Sequence, residues 1–171
     1  MPFGRFHERI VAYDRGVTDT LLFFHLLGAF FFVAGAVVAG VLQVAAMKRE
    51  LPSEIVLLLR LTRVGVVLVG LGALMTLGFG LALAHHDGFA IGSGWISGAL
   101  ALWVVAMATG GIGGRTARHA RYLAERLAAE GNRPSAELRD LVAHRPSLIL
   151  SYVSSACVLA IIVLMVWKPG A

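Results

Sequence analysis

Between Leu21 and Met47 the sequence has no Asp, Glu, Lys or Arg for 27 residues. A helix at a protein surface needs a polar face, so this absence excludes a water-facing element. As a helix the run extends roughly 40 Å at ~1.5 Å per residue, more than the ~30 Å hydrocarbon core of a bilayer. Charge is scarce throughout: 15% of the residues are charged against 58% hydrophobic, with a mean hydropathy of +0.80. A soluble domain does not carry that balance. Cysteine is nearly missing as well, and the single Cys157 excludes an internal disulfide or a CxxC pair. The glycine-rich stretch Gly110 to Gly114 has no GK[ST] after it, which excludes a phosphate loop. Ser151, Ser154 and Ser155 have no base paired with them in the pattern, so nucleophilic catalysis is not indicated.

What is present describes an all-α polytopic membrane protein, a single domain over residues 1–171. Four apolar runs read as spans at about 21–47, 64–84, 95–114 and 147–167. The first is nearly twice the length of a signal-peptide core and is expected to stay in the chain. Before it lies a mixed-charge lead of Arg5, His7, Glu8, Arg9, Asp14, Arg15 and Asp19, with Thr18, Asp19 or Thr20 expected to cap the first helix. Pro52 and Ser53 mark the start of the next helix, and Glu54 to Arg63 read as an interfacial turn or two leading into span two. Trp95 opens span three at the interface. From Arg115 a helical extension is expected to end at Gly131 and Asn132, a short helix to follow Pro134 and Ser135, and Pro146 with Ser147 to start span four.

Orientation follows from Lys and Arg. The loops 48–63 and 115–146 with Arg145 hold eleven: Lys48, Arg49, Arg60 and Arg63, then Arg115, Arg118, Arg121, Arg126, Arg133, Arg139 and Arg145. The opposite side holds four, Arg5, Arg9, Arg15 and Lys168. The excess places both basic loops in the cytoplasm and both termini outside. Arg60, Arg63, Arg115, Arg118 and Arg121 are expected to meet anionic lipid headgroups, and the net charge of +5 is assigned to that surface rather than to nucleic acid.

Inside the spans polar side chains are few, and His25, Gln43, Thr76, Ser151 and Ser154 are singled out among them. His25 and Gln43 are 18 residues apart, five full turns, and share a stripe with Gly28, Ala29, Phe32, Ala36, Ala39 and Gly40. Matching stripes are Gly65, Gly72, Thr76 and Gly80 in span two, Gly94, Gly98, Ala101, Val105 and Ala108 in span three, and Ser147, Ser151 and Ser154 in span four. Polar groups in lipid need partners and small residues allow close approach, so these stripes predict a four-helix bundle. An ionisable residue inside a span is a functional candidate by default, which singles out His25, with His86 at the outer end of span two as a second candidate ligand. No other ligand stands at i+3 or i+4 from His25, and no metal site is assigned.

The segment His25 to Gly35 (HLLGAFFFVAG), a second span ending ALMTLGFGLAL and a third opening Gly94-Trp95 resemble a family of uncharacterised bacterial four-helix integral membrane proteins. That family is in turn distantly similar to copper-resistance D type membrane proteins and to the haem-pathway protoporphyrinogen oxidases. The resemblance implies a multi-pass protein of a bacterial inner membrane. In the haem-pathway proteins the first-span histidine binds haem, which implies that role for His25. Their functional lysine one turn after the Trp is Ala99 in this chain, which removes the residue that an enzymatic role needs. Three readings follow: an accessory or structural component of a membrane assembly or homo-oligomer, a haem-binding redox protein using His25, and a small transporter or channel component with His25 as protonation site.

Overall fold

The computed structural model describes residues 3–169, with side chains from residue 14 onward, so Arg5 and Arg9 of the lead lie outside the described side chains. Five helices account for nearly all of it: α1 (Phe3–Met47), α2 (Pro52–His86), α3 (Gly94–Ala129), α4 (Ala136–Val142) and α5 (Arg145–Trp167). Four stretches are long and apolar enough to cross a membrane: Asp14–Met47, Pro52–His86, Gly94–Ala129 and Ala136–Trp167. The chain is thus all-α, and no strand occurs among the described residues.

The helices are longer than the apolar runs within them. α1 continues upstream of its apolar run, so Thr20 does not cap it; its hydroxyl donates to the Gly16 carbonyl one turn back, at 2.7 Å. No proline stands between Phe3 and Met47, and Gly16 alone does not stop a helix whose following turns are strongly apolar. Likewise Glu54 to Arg63 are no separate turn. They form the first turns of α2, which starts with Pro52 at N1, where the missing N–H is not needed. The amide of Ser53 in that first turn donates to Asn132 Oδ1 at 2.9 Å, so the turn after α3 caps α2. That turn is built as expected on Gly131 (φ 114°) and Asn132 (φ 55°), left-handed positions that glycine and asparagine accept most readily. Ser135 then caps α4 by accepting from the Leu138 amide.

Two antiparallel pairs make the architecture. α1 packs along α2, and α3 packs along α5. The α1–α2 seam is a backbone-to-backbone contact. A Cβ placed on Gly35 would stand 2.6 Å from the Gly65 carbonyl oxygen, and one on Gly65 would stand 2.7 Å from the Gly35 carbonyl oxygen. Gly28 and Gly72 form a second such crossing. All four small or hydroxyl positions foreseen on α2 face α1, whereas on α1 the seam runs through Gly28, Phe32, Gly35 and Ala39, and Gly40 has open space around it. On α3 the packed positions are Ala99, Ala106, Gly110 and Gly113, with Ala101, Val105 and Ala108 exposed, a face rotated by one to two residues from the foreseen stripe. Trp95 and Ile96 are buried against Ala84 and pull the face round.

The pairs meet through two apolar clusters at opposite ends. One joins Ala84, Trp95 and Ile96, with Phe89, Leu100 and Met165 against them. The other, larger, joins Ala46 of α1, Ile55, Val56 and Leu59 of α2, Ala120, Leu123 and Ala124 of α3, and Leu138 and Val142 of α4. It lies beyond the apolar runs of α2 and α3, at the arginine-rich end. Between the clusters the close approaches of α2 are to α1 and those of α3 are to α5. The large apolar side chains on the remaining faces, such as Leu74, Phe30, Val67 and Leu159, are exposed in the isolated chain, as a lipid-facing surface requires.

Candidate functional site within the membrane

His25 sits in the α1–α2 seam. Its Nδ1 lies 2.9 Å from the backbone carbonyl oxygen of Thr76. A carbonyl only accepts, so Nδ1 carries the hydrogen and, in the neutral ring, the lone pair falls on Nε2. Gly80 is what lets the ring in: a Cβ there would stand 2.7 Å from His25 Nδ1 and 2.8 Å from Cε1. Immediately before His25 and Gly80 in the chain, Phe24 and Phe79 stack with their ring centroids 4.9 Å apart and fix the same crossing. The stripe position of His25 therefore has a defined meaning, since the histidine, Thr76 and Gly80 form one interhelical joint. Thr76 contributes its carbonyl, while its Oγ1 is buried without a partner among the described residues.

Gln43, on the same line of α1, serves a different neighbour. Its Nε2 donates to the Val142 carbonyl oxygen at 3.0 Å and ties α1 to the C-terminal end of α4. His25 and Gln43 thus share a stripe and not a site. His86 is also separate. Its Nε2 lies 3.2 Å from Asp14 Oδ1, its Nδ1 lies 3.3 Å from the Thr18 hydroxyl, and the same Nδ1 lies 3.5 Å from Asp87 Oδ1. Both of its ring nitrogens are engaged, in a polar clasp that joins α1 to the end of α2. Among the described residues no three His, Cys, Asp or Glu groups converge as a metal site would require.

The serines hold the second pair of helices together. Ser154 donates to the Ala106 carbonyl at 2.9 Å across the α3–α5 seam. Ser147 donates to Thr116 Oγ1 at 2.8 Å and also meets His144 Nδ1 at 2.9 Å. Ser151 donates back along its own helix to Ser147 O at 3.0 Å and is exposed. At the opposite end of α5, Lys168 is held over the rings of Phe89 and Trp95, its Nζ 5.2 and 5.6 Å from their centroids. That contact clips the end of α5 to the α2–α3 connection.

The five arginines singled out from the sequence divide sharply. Arg63, Arg115 and Arg118 are exposed, and Arg60, also exposed, pairs through Nε with Glu125 Oε1 at 3.0 Å. Arg121 is different, with only 8% of its surface accessible and its Nε enclosed without a partner among the described residues. Its guanidinium carbon stands 4.9 Å from the centroid of the Tyr122 ring. Sequence reasoning missed this burial, and the one signal available was the flanking pair Ala120 and Ala124, small residues one turn apart that let α3 approach a neighbour closely.

The architecture and these joints describe a membrane-embedded chain whose family can be read from the sequence itself. No curated protein and no solved structure matches it. A family model does match, over residues 19–169 and so across every membrane-crossing stretch, and the chain belongs to that family, described as predicted integral membrane protein (DUF2269).

Proposed function

We propose that the protein is a non-enzymatic component of a membrane assembly in a bacterial plasma membrane, with both termini outside and the arginine-rich end in the cytoplasm. One observation carries this reading. Several polar side chains within the spans spend a hydrogen bond on the backbone of their own or a neighbouring helix: His25 on Thr76, Ser154 on Ala106, Thr62 on Leu58, Thr109 on Val105. Groups committed in this way hold helices at fixed distances. The orientation is supported by the eleven-to-four distribution of Lys and Arg, since the ends of α1 and α3, the start of α2, and α4 all gather at the arginine-rich pole.

A second reading rests on His25 alone. A histidine that donates one nitrogen to a backbone carbonyl and leaves the other unengaged has the outer-shell arrangement of a metal-ligating imidazole. Haem therefore fits His25 Nε2 as a single axial ligand. It does not fit His86 as the second, because both nitrogens of that ring are taken by Asp14, Asp87 and Thr18. At the position of the functional lysine in the haem-pathway proteins stands Ala99, 4% exposed.

The deciding measurement is an absorption spectrum, oxidised and reduced, of protein purified in mild detergent after expression with added haem, beside His25→Ala. A featureless visible region in both supports the assembly reading. A haem band in the parent that disappears in the variant overturns it in favour of a redox protein.

A further inference from the structure

At the arginine-rich pole one buried cation lacks a counter-charge. Arg121 is 92% buried, its Nε is enclosed with no hydrogen-bond acceptor, and no carboxylate lies within ion-pair distance among the described residues. The nearest acid along its own face is Glu125, one turn on, and that carboxylate is held by Arg60 at 3.0 Å. One turn back on the same face stands Arg118, exposed and also without an ion pair. The stripe Arg118, Arg121, Glu125 with Arg60 added carries three positive charges against one negative. Burying most of an arginine, with Nε enclosed and no anion beside it, is costly, and an anion that reaches the terminal nitrogens completes such an arrangement.

Depth identifies that ligand. Arg121 lies seven residues past Gly114, where the apolar run of α3 ends, or ~10 Å along the helix axis. Side chains on a helix lean toward its N-terminus, and the N-terminus of α3 is on the far side of the membrane, so the Arg121 side chain leans back toward the bilayer. Its guanidinium thereby reaches the headgroup layer, the outer ~5–7 Å on each face of a bilayer. We propose that Arg121, with Arg118 beside it, binds the headgroup of an anionic phospholipid, whose phosphodiester, unlike that of phosphatidylcholine, has no ammonium of its own, as a specific lipid site on α3 at the arginine-rich pole. A planar guanidinium offers paired N–H donors that match two phosphate oxygens, and the Tyr122 ring stands 4.9 Å from the guanidinium carbon. The exposed arginines make a diffuse positive surface. Arg121 makes an address.

The test compares full-length protein in nanodiscs of phosphatidylcholine alone, of phosphatidylcholine with phosphatidylglycerol, and of phosphatidylcholine with inorganic phosphate in solution, reading thermal stability and, by native mass spectrometry, retained lipid. Phosphatidylglycerol should stabilise the parent and be retained, inorganic phosphate should do neither, and Arg121→Met should bind phosphatidylglycerol about tenfold more weakly, the loss of one charge-assisted contact. Arg126→Gln, an exposed arginine on another face of α3, should behave as the parent. Equal retention of phosphatidylglycerol by Arg121→Met and parent overturns the proposal, as does equal stabilisation by inorganic phosphate. Should Arg121→Met fail to fold, the parent decides alone, since no preference for phosphatidylglycerol over phosphatidylcholine refutes the site. The visible spectrum that tests the role of His25 is independent of every arm.

Discussion

Replacing Gly72 by alanine tests the α1–α2 seam directly. A methyl group at this position meets the Gly28 carbonyl oxygen at 2.6 Å and Phe32 Cα at 2.8 Å, and it also runs into the Phe32 amide nitrogen. These are backbone atoms, which cannot swing aside as a side chain would. Comfortable separations are ~3.5–4.0 Å, so the helices must part by roughly 1 Å, and a gap of that size forfeits about a quarter to a half of each pairwise attraction it touches. Overpacking of this kind costs about 1–3 kcal/mol, and the rigid backbone puts Gly72→Ala toward the upper end. The helix propensity of alanine returns about 1 kcal/mol, leaving a net loss of about 2 kcal/mol. Gly78→Ala supplies the control, because nothing lies within 4 Å of a Cβ there, and it should gain up to about 1 kcal/mol from propensity alone. Unfolding followed by circular dichroism in mixed detergent micelles should separate the two variants by about 3 kcal/mol. If Gly72→Ala is as stable as Gly78→Ala, the backbone contact does not exist in the membrane.

Two further tests address the pole and the orientation. Gln43→Leu removes the donor to the Val142 carbonyl and should loosen α4 at a cost of about 1 kcal/mol, seen as faster tryptic cleavage after Arg139 with unchanged helix content. Equal cleavage rates would mean that the bond does not hold α4. With Cys157 replaced by alanine, single cysteines at His85 and at Arg133 should react with a membrane-impermeant maleimide on intact cells only at the first site; labelling at Arg133 would invert the orientation.

The spans were legible because a charge-free run needs no tertiary information: lipid solvates it whatever its neighbours are. The α2 seam was legible too, since Gly65, Gly72, Thr76 and Gly80 repeat at helical spacing with little else small on that face. On α1, glycine and alanine occur on several faces, so periodicity marked Gly40 while the seam uses Gly35. The face of α3 depends on how far Trp95 and Ile96 rotate it, and that is set by Ala84 on another helix. His25 stood out as the one titratable group in span one, but its partner is a main-chain carbonyl, which carries no residue signature. For the same reason Val142 as acceptor of Gln43 was invisible. The burial of Arg121 hides in an arginine run where every member looks alike.

The arginine-rich pole and the membrane body of this chain are held together by different forces, and they should come apart under different stresses. The cluster of Ile55, Leu59, Leu123, Leu138 and their neighbours lies past the apolar runs, where water is the alternative to burial. Its stability is hydrophobic, carries a positive heat capacity of unfolding and is weakened by urea. The glycine seam between α1 and α2 has lipid as its alternative, and lipid tails are as apolar as the side chains they would replace. Opening that seam changes almost no apolar hydration, so it has little heat-capacity signature and little sensitivity to urea. One polypeptide thus combines a denaturant-sensitive head with a denaturant-resistant membrane body, and α2 and α3 are continuous through both. Melting the head would free α4 and uncap the first turn of α2 while leaving the intramembrane joints closed.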